Sequence, residues 1–210
     1  MKKSVYSLVL SEDVVEAVDR MAYARGTSRS NLVNQLLADA VGYVTPERRM
    51  ADILDTLSRQ MTGLFQLQEQ AADGMLTIRS PLRYRYKPTI RYRVELNRQN
   101  DEHPDHAVGL LHASFRTQSK PLIEEAEAFF RCWSELEEKY RGISKTDYSI
   151  EDGTWHRRVA VRTNESSTAQ QIGEAMGQYI KAVDAALKAW FAALPDREKA
   201  RDAVEAFFGM

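Results

Sequence analysis

The chain opens with a period of two in its hydrophobic pattern, which then changes to a helical period. From Ser4 to Leu10 the residues are mostly β-branched, aromatic or aliphatic, which predicts a strand. One face of this strand would carry Tyr6, Leu8 and Leu10, and the other Val5, Ser7 and Val9. A strand at the start of the chain therefore presents one larger apolar face and one smaller face.

Two amphipathic helices are predicted after the strand. Ser11 is placed to cap the first helix, which should stop at Arg25 because Gly26 favours the left-handed turn that ends a helix. Ser28 is placed to cap the second helix. One strand and two short helices leave a strand edge unpaired and too little core to be stable alone. We therefore predict that a second copy supplies an antiparallel strand across a two-fold axis, and that the four helices close a shared core.

This arrangement resembles the ribbon-helix-helix family of DNA-binding proteins, the MetJ, Arc and CopG type. The resemblance is carried by the segment KKSVYSLVLSEDVVEAVDRMA, the turn GTSRS and the apolar second helix. It implies a homodimer, or a higher even-numbered oligomer, whose paired strands enter the major groove of double-stranded DNA. It also implies that the amino terminus of the second helix holds a DNA phosphate.

Carried onto this chain, the resemblance implies a set of DNA contacts. The contact residues would be Val5, Ser7 and Val9 at the bases, Ser28, Arg29 and Ser30 at the backbone, and Lys2 and Lys3 at flanking phosphates. Members of the family usually carry polar or basic residues at all three outward strand positions, whereas two of them are valine here. Ser7 would then hydrogen-bond to bases, and the valines would touch thymine methyl groups. The alternative is that the strand joins a sheet of its own chain and Ser28 is only a helix cap.

A third helix is predicted after Thr45-Pro46, a turn signal in which Thr45 can act as the cap. The helical pattern runs from Glu47 to about Ala72. Its apolar residues follow alternating steps of three and four: Met50, Leu54, Leu57, Met61, Leu64 and Ala71. This stripe indicates either a short coiled-coil seam that extends the dimer or an ordinary amphipathic helix packed on the second domain.

After Gly74 the pattern turns to alternating strands followed by long helices. One extra strand is predicted first, which forms a hairpin with the next strand, and the order strand, strand, helix then occurs twice, with a short last helix. This order predicts an α+β sandwich. The fold class is therefore α+β, with a ribbon-helix-helix domain over residues 1–45, a connecting helix over 46–74 and an α+β ligand- or partner-binding domain over 75–210.

Arginine alternates with apolar residues in the predicted hairpin. A turn at Lys87-Pro88-Thr89 would place Arg85 beside Arg91 and Arg83 beside Arg93. Like charges opposed across strands are destabilising, so an anionic ligand, an acidic partner or nucleic acid would relieve them. The alternative is a solvated face partly paired with nearby acidic residues.

Composition restricts the remaining chemistry. The net charge of −1 neither requires nor excludes nucleic acid, and one cysteine, Cys132, rules out an internal disulfide. His103, His106, His112 and Cys132 do not match a tight zinc spacing, so we predict no metal and no cofactor. No nucleophile elbow or phosphate-binding glycine loop is present, so we predict no enzymatic activity. No secretory signal or membrane span is visible, which favours a cytoplasmic location.

Together these features predict a homodimeric DNA-binding transcriptional regulator. Its C-terminal domain would sense a small anionic ligand or bind a protein partner. Two alternatives remain open. One is an antitoxin that represses its own operon, and the other is an accessory DNA-binding protein for conjugation or partition of a mobile element.

Overall fold

The computed structural model describes residues 5–63, 65–70, 74–85, 87–97, 107–160 and 167–209. The described chain is α+β, with six α-helices and a six-stranded antiparallel sheet. It divides into two compact units, Met1–Arg49 and Met50–Met210. Among the described residues, no helix combines the length and apolar composition that crossing a membrane requires.

The first unit contains the two helices predicted after the opening segment. They are α1, Glu12–Ala24, and α2, Arg29–Ala40. Gly26 separates them in the left-handed conformation at φ 60°, and the Ser28 hydroxyl accepts a hydrogen bond from the Asn31 backbone N–H at 3.3 Å. Ser11 occupies the N-cap position of α1, but its side chain makes no capping hydrogen bond. Residues 5–10 have no strand partner among the described residues of this single chain.

The third helix, α3, is shorter than its sequence pattern predicted. It spans Pro46–Met61, and the Thr45 hydroxyl accepts a hydrogen bond from the Arg48 N–H at 3.1 Å. The predicted extension to Ala72 is wrong, because Gly63 takes a left-handed conformation and strand β1, Gln66–Gln70, follows it. The polar sequence of β1 gives no strand signal of its own, and the pairing of β1 with the next strand defines it.

The second unit contains one sheet with the strand order β1-β2-β3-β4-β6-β5, all antiparallel neighbours. After β1, the strands are β2 (Met75–Pro81), β3 (Thr89–Leu96), β4 (Ala107–Arg116), β5 (Tyr148–Glu151) and β6 (Thr154–Ala160). The helices are α4 (Lys120–Arg141), α5 (Ala169–Ala193) and α6 (Arg197–Glu205). The predicted order strand, strand, helix recurs as β3-β4-α4 and β5-β6-α5.

The predicted register of the arginine hairpin is wrong. Strand β2 ends at Pro81, and Arg83 and Arg85 lie in the connection between β2 and β3. The residue opposite Arg91 is Arg79, and the residue opposite Arg93 is Thr77. The opposed pair of arginines therefore exists, but with a different partner.

The core of the second unit lies between the helices and one face of the sheet. In β3, buried residues alternate with exposed or half-buried ones, so only one face of this strand meets the core. Core residues of α3 include Met50, Ile53, Leu54, Leu57 and Met61. The stripe of α3 is thus used within its own unit, and the coiled-coil alternative is wrong.

Two glycines of α5 allow close approach to α3. A Cβ atom at Gly173 would lie 2.8 Å from the backbone oxygen of Ile53, and one at Gly177 would lie 2.3 Å from the side-chain oxygen of Gln60. The absence of side chains at these positions lets the two helices pack closely. This contact packs α3 against α5 within the second unit.

Candidate functional site

The first unit exposes an unusual amount of apolar side chain. Among its described residues, the buried hydrophobic ones are only Ala22, Leu32 and Ala38, whereas the second unit buries an extensive core. Apart from Tyr140, all the exposed large hydrophobic residues of the described chain lie between Val5 and Val44. A concentration of exposed apolar side chains is typical of a surface that binds a protein, a ligand or a membrane.

The opening segment is exposed on both of its faces. Val5 and Val9 are 100% and 103% exposed, and on the other face Tyr6, Leu8 and Leu10 are 84%, 60% and 47% exposed. Ser7 is also exposed. The exposure within the single chain therefore does not decide which face would contact DNA.

Of the residues predicted to contact the DNA backbone, Arg29 already has an anionic partner. Its guanidinium donates two hydrogen bonds to the carboxylate of Asp19, from Nε to Oδ1 at 2.5 Å and from Nη2 to Oδ2. The hydrogen bond from Arg29 lowers the pKa of Asp19 below its usual value. A DNA phosphate at Arg29 would have to displace this carboxylate. Ser28 and Ser30 are exposed, and Lys2 and Lys3 lie outside the described residues.

The second unit has an open sheet face that is rich in arginine. Arg79 of β2, Arg91 of β3 and Ser114 of β4 are consecutive partners across the sheet, and Arg116 follows two residues after Ser114. We call these four residues the arginine cluster. A shallow depression beside it is lined by Arg91, Ser114, Phe115, Arg116, Thr117 and Gln118.

The arginines of this face differ in their neighbours. Arg93 forms an ion pair with Glu95 at 2.8 Å, and Arg79 donates a hydrogen bond to the Gln68 side chain at 3.0 Å. The side chains of Arg91 and Arg116 are exposed and make no hydrogen bond or ion pair with any residue that the structure describes. Because Gln68 is neutral, the charge of Arg79 is also not neutralised by its hydrogen bond, so the cluster carries three uncompensated positive charges.

A pair of histidines occupies the middle of the same face. His112 of β4 is opposite His156 of β6, and their Nδ1 atoms lie 2.7 Å apart, so one ring donates a hydrogen bond to the other. The Nε2 atom of His112 lies 3.6 Å from a Glu95 carboxylate oxygen. Burial lowers the pKa of His112, Arg93 and His156 act in the same direction, and Glu95 opposes them.

This pKa shift predicts a loss of stability in mild acid. Folding lowers the pKa of His112 below its usual value of 6.5. The contribution of this residue to the free energy of unfolding is therefore complete above pH 6.5, and it is lost as the pH falls through the folded-state pKa. We expect the urea midpoint to fall further for the native protein than for His112→Gln between about pH 7.5 and about pH 5.5. Equal losses in both proteins would contradict a role for His112.

Of the predicted candidates for a metal site, the described residues His112 and Cys132 lie apart. Cys132 is buried in the core, which raises the pKa of its thiol to about 11, whereas His112 lies on the open sheet face. His103 and His106 lie outside the described residues. Within the described ranges, no three His, Cys, Asp or Glu residues are grouped so that they could hold a metal ion.

Sequence reasoning did not find the buried polar group beneath the sheet. Glu137 of α4 and Arg157 of β6 are 1% and 5% exposed and are joined by a 3.0 Å hydrogen bond, with Tyr179 of α5 donating to the same carboxylate. Strand alternation could have indicated that Arg157 is buried. It lies two residues after Trp155, so both side chains are on the same face of β6.

Comparisons with known proteins give no relative from which a role can be transferred. No protein-family model, curated protein or solved structure matches this chain.

Proposed function

We propose that the chain is a homodimeric, sequence-specific DNA-binding protein that regulates transcription. The observation that carries this proposal is the exposed apolar surface of residues 5–44, in a unit whose described part buries only three hydrophobic residues. Such a unit needs a partner to complete its core. The proposal does not require a catalytic residue.

A second copy is the partner that fits this surface best. The opening segment alternates in sequence, lies in solvent and has no strand partner among the described residues of its own chain. Two such segments related by a two-fold axis would pair antiparallel and satisfy each other's backbone groups. In that dimer Leu8 and Leu10 would face the four helices, and Ser7 would lie between Val5 and Val9 on the surface of the ribbon.

The second unit supports a sensor or partner-binding role rather than that of an antitoxin tail. An antitoxin whose C-terminal part is disordered until it binds its toxin would lack a core of its own. Here Trp133, Trp155 and Trp190 are all buried in the second unit. This prefolded core favours a regulator with a separate effector domain.

The proposal is tested by selecting bound sequences from a random duplex pool with the full chain. We expect enrichment of a site with two-fold symmetry, because the two strands of an isologous dimer read equivalent half-sites. Sedimentation equilibrium should show a dimer without DNA. A monomer at all concentrations, or a pool that never departs from random, would exclude this function.

Two single substitutions separate base readout from backbone contact. We expect Ser7→Ala to weaken binding to the selected site by about 1 kcal/mol and to leave random DNA unaffected, because it removes a hydrogen bond to a base. We expect Arg29→Ala to weaken binding to all sequences and to reduce the salt slope by about one. Both effects are measured by fluorescence anisotropy across a salt series.

The Asp19–Arg29 pair supplies the matched control. Asp19→Asn keeps the size of the side chain but removes the charge that competes with DNA for Arg29. It should therefore strengthen binding to all sequences, which is the opposite of Arg29→Ala. If Asp19→Asn and Arg29→Ala weaken binding equally, the pair is needed for the fold of the first unit and Arg29 does not contact phosphate.

A further inference from the structure

We infer that the arginine cluster on the open sheet face binds the phosphate group of a small phosphorylated molecule. The site lies entirely in the second unit, at the depression beside Arg91, Ser114 and Arg116. Its occupation by a ligand does not depend on the proposed DNA binding. Only the consequence, that the ligand acts as an effector, rests on the proposed function.

The first argument is the opposition of like charges. Arg79 and Arg91 are directly paired across β2 and β3 in the observed register. Residues directly opposed on one face of an antiparallel pair have Cβ atoms only about 4.5–5.5 Å apart, so two positive charges there repel each other. Arg116 adds a third guanidinium on the next strand. A bound anion would convert this repulsion into attraction.

The second argument is the chemistry of the depression. Guanidinium groups bind phosphate through paired N–H donors, and hydroxyl and amide groups supply further donors. The depression offers two arginines, the side chains of Ser114 and Thr117, and the amide of Gln118, and no carboxylate is among its described lining residues. A dianionic phosphomonoester matches this set of donors better than a monovalent carboxylate does.

The third argument separates this site from its neighbours. Glu95 neutralises Arg93, so the positive charge does not continue towards the histidine pair. The uncompensated charge is concentrated at Arg79, Arg91 and Arg116, next to the depression. This confined charge suits one phosphate group, whereas a nucleic-acid backbone would need a longer row of cations.

The shape of the face also argues against single-stranded nucleic acid. Proteins that bind single strands place aromatic side chains on the binding face so that bases can stack on them. Tyr92 of β3 lies on the core side, and Phe115 of β4, although it lines the depression, is opposite the core residue Ile90 and packs against Phe191. No other Phe, Tyr or Trp is among the described residues of β2, β3 and β4. The open face therefore lacks a stacking platform.

The experiment titrates the full chain with inorganic phosphate and with glycerol 3-phosphate, using chloride at matched ionic strength as the reference. Isothermal titration calorimetry gives the Kd, and thermal unfolding gives an independent reading. The test variant is Arg91→Gln/Arg116→Gln. The control is Arg131→Gln/Arg201→Gln, which removes the same charge from exposed arginines of the helical layer.

We expect the native protein and the control to bind glycerol 3-phosphate with the same Kd. The test variant should bind at least about tenfold more weakly, because it loses two charge-assisted contacts. A single Arg91→Lys variant should be intermediate, since lysine keeps the charge but not the paired donors. Ligand should raise the unfolding temperature of the native protein more than that of the test variant.

Two results would overturn the inference. One is equal affinity in the test variant and the control, which would place any phosphate elsewhere. The other is a test variant that is more stable than the native protein while neither binds the probes, which would make the cluster a solvated face. A random 20-base-pair duplex provides a further arm, and a larger loss for this duplex than for glycerol 3-phosphate would assign the cluster to DNA. None of these results alters the oligonucleotide selection that tests the proposed function.

Discussion

Replacing Glu137 by glutamine is expected to lower the free energy of unfolding of the second unit by about 3–5 kcal/mol. Glu137 is 1% exposed and accepts hydrogen bonds from Arg157 and Tyr179, each at 3.0 Å. Arg157 is itself 5% exposed. The substitution would therefore leave a buried guanidinium without its counter-charge, which costs far more than losing an ion pair in solvent.

Tryptophan fluorescence during urea unfolding measures this change specifically. The chain has three tryptophans, and Trp133, Trp155 and Trp190 all belong to the core of the second unit. The signal thus follows this unit even if the first unit unfolds separately. The far-ultraviolet circular dichroism of the helices gives a second urea midpoint. An equal fall in this midpoint would confirm that the whole unit unfolds.

Glu135 supplies the control on the same helix. Its carboxylate is 56% exposed and lies 3.4 Å from Arg201, so Glu135→Gln should change stability by less than about 1 kcal/mol. The double variant Glu137→Leu/Arg157→Met removes both buried charges and should recover most of the stability lost in Glu137→Gln. If Glu137→Gln proves as mild as Glu135→Gln, the buried pair does not stabilise the unit.

Local signals predicted the end of α1 and the starts of α2 and α3, although they did not predict the end of α3. Gly26 takes the left-handed conformation expected at the end of α1, and the hydroxyls of Ser28 and Thr45 accept the capping hydrogen bonds expected of them. These features depend on the conformation of a few neighbouring residues. Their outcome is therefore present in the local sequence.

The pairing between strands was harder to predict from the sequence. Strand β1 has the sequence QLQEQ, which carries little strand preference, and its conformation depends on its pairing with β2. The alternation around Arg83 and Arg85 is typical of a strand, yet these residues form the connection before β3. The register of a hairpin depends on the position of its turn. The sequence therefore predicted a basic sheet face but wrongly placed Arg83 and Arg85 on it.

The candidate sites also include some features that neighbouring residues determine and others that depend on contacts between distant residues. The face with Val5, Ser7 and Val9 follows from alternation alone, and it stays a prediction because both faces of residues 5–10 are exposed. The Asp19–Arg29 pair joins two helices of the first unit across the Gly26 turn, and no local pattern indicates it. Contacts between distant residues need the packed structure, because sequence spacing does not determine which side chains meet.

Replacing Leu8 by asparagine is expected to weaken dimerisation by at least about 100-fold and to abolish detectable binding to the selected DNA site. In the proposed dimer Leu8 faces the shared core, and burying a leucine side chain contributes about 1.5–3 kcal/mol. A two-fold interface contains this change twice, so about 3–6 kcal/mol is lost. Sedimentation equilibrium measures the dimer constant, and fluorescence anisotropy measures DNA binding.

Val9→Asn is the matched variant on the opposite face of the same segment. Val9 is fully exposed in the single chain and would lie on the DNA side of the ribbon. This variant should therefore keep the dimer constant and change the preferred base sequence, since a side chain with donors and an acceptor replaces a methyl contact. The tryptophan-reported stability of the second unit should be unchanged in both variants. A dimer that tolerates Leu8→Asn, or that loses as much affinity with Val9→Asn, would show that these strands do not pair across a two-fold axis. The exposed surface of the first unit would then belong to a different protein partner.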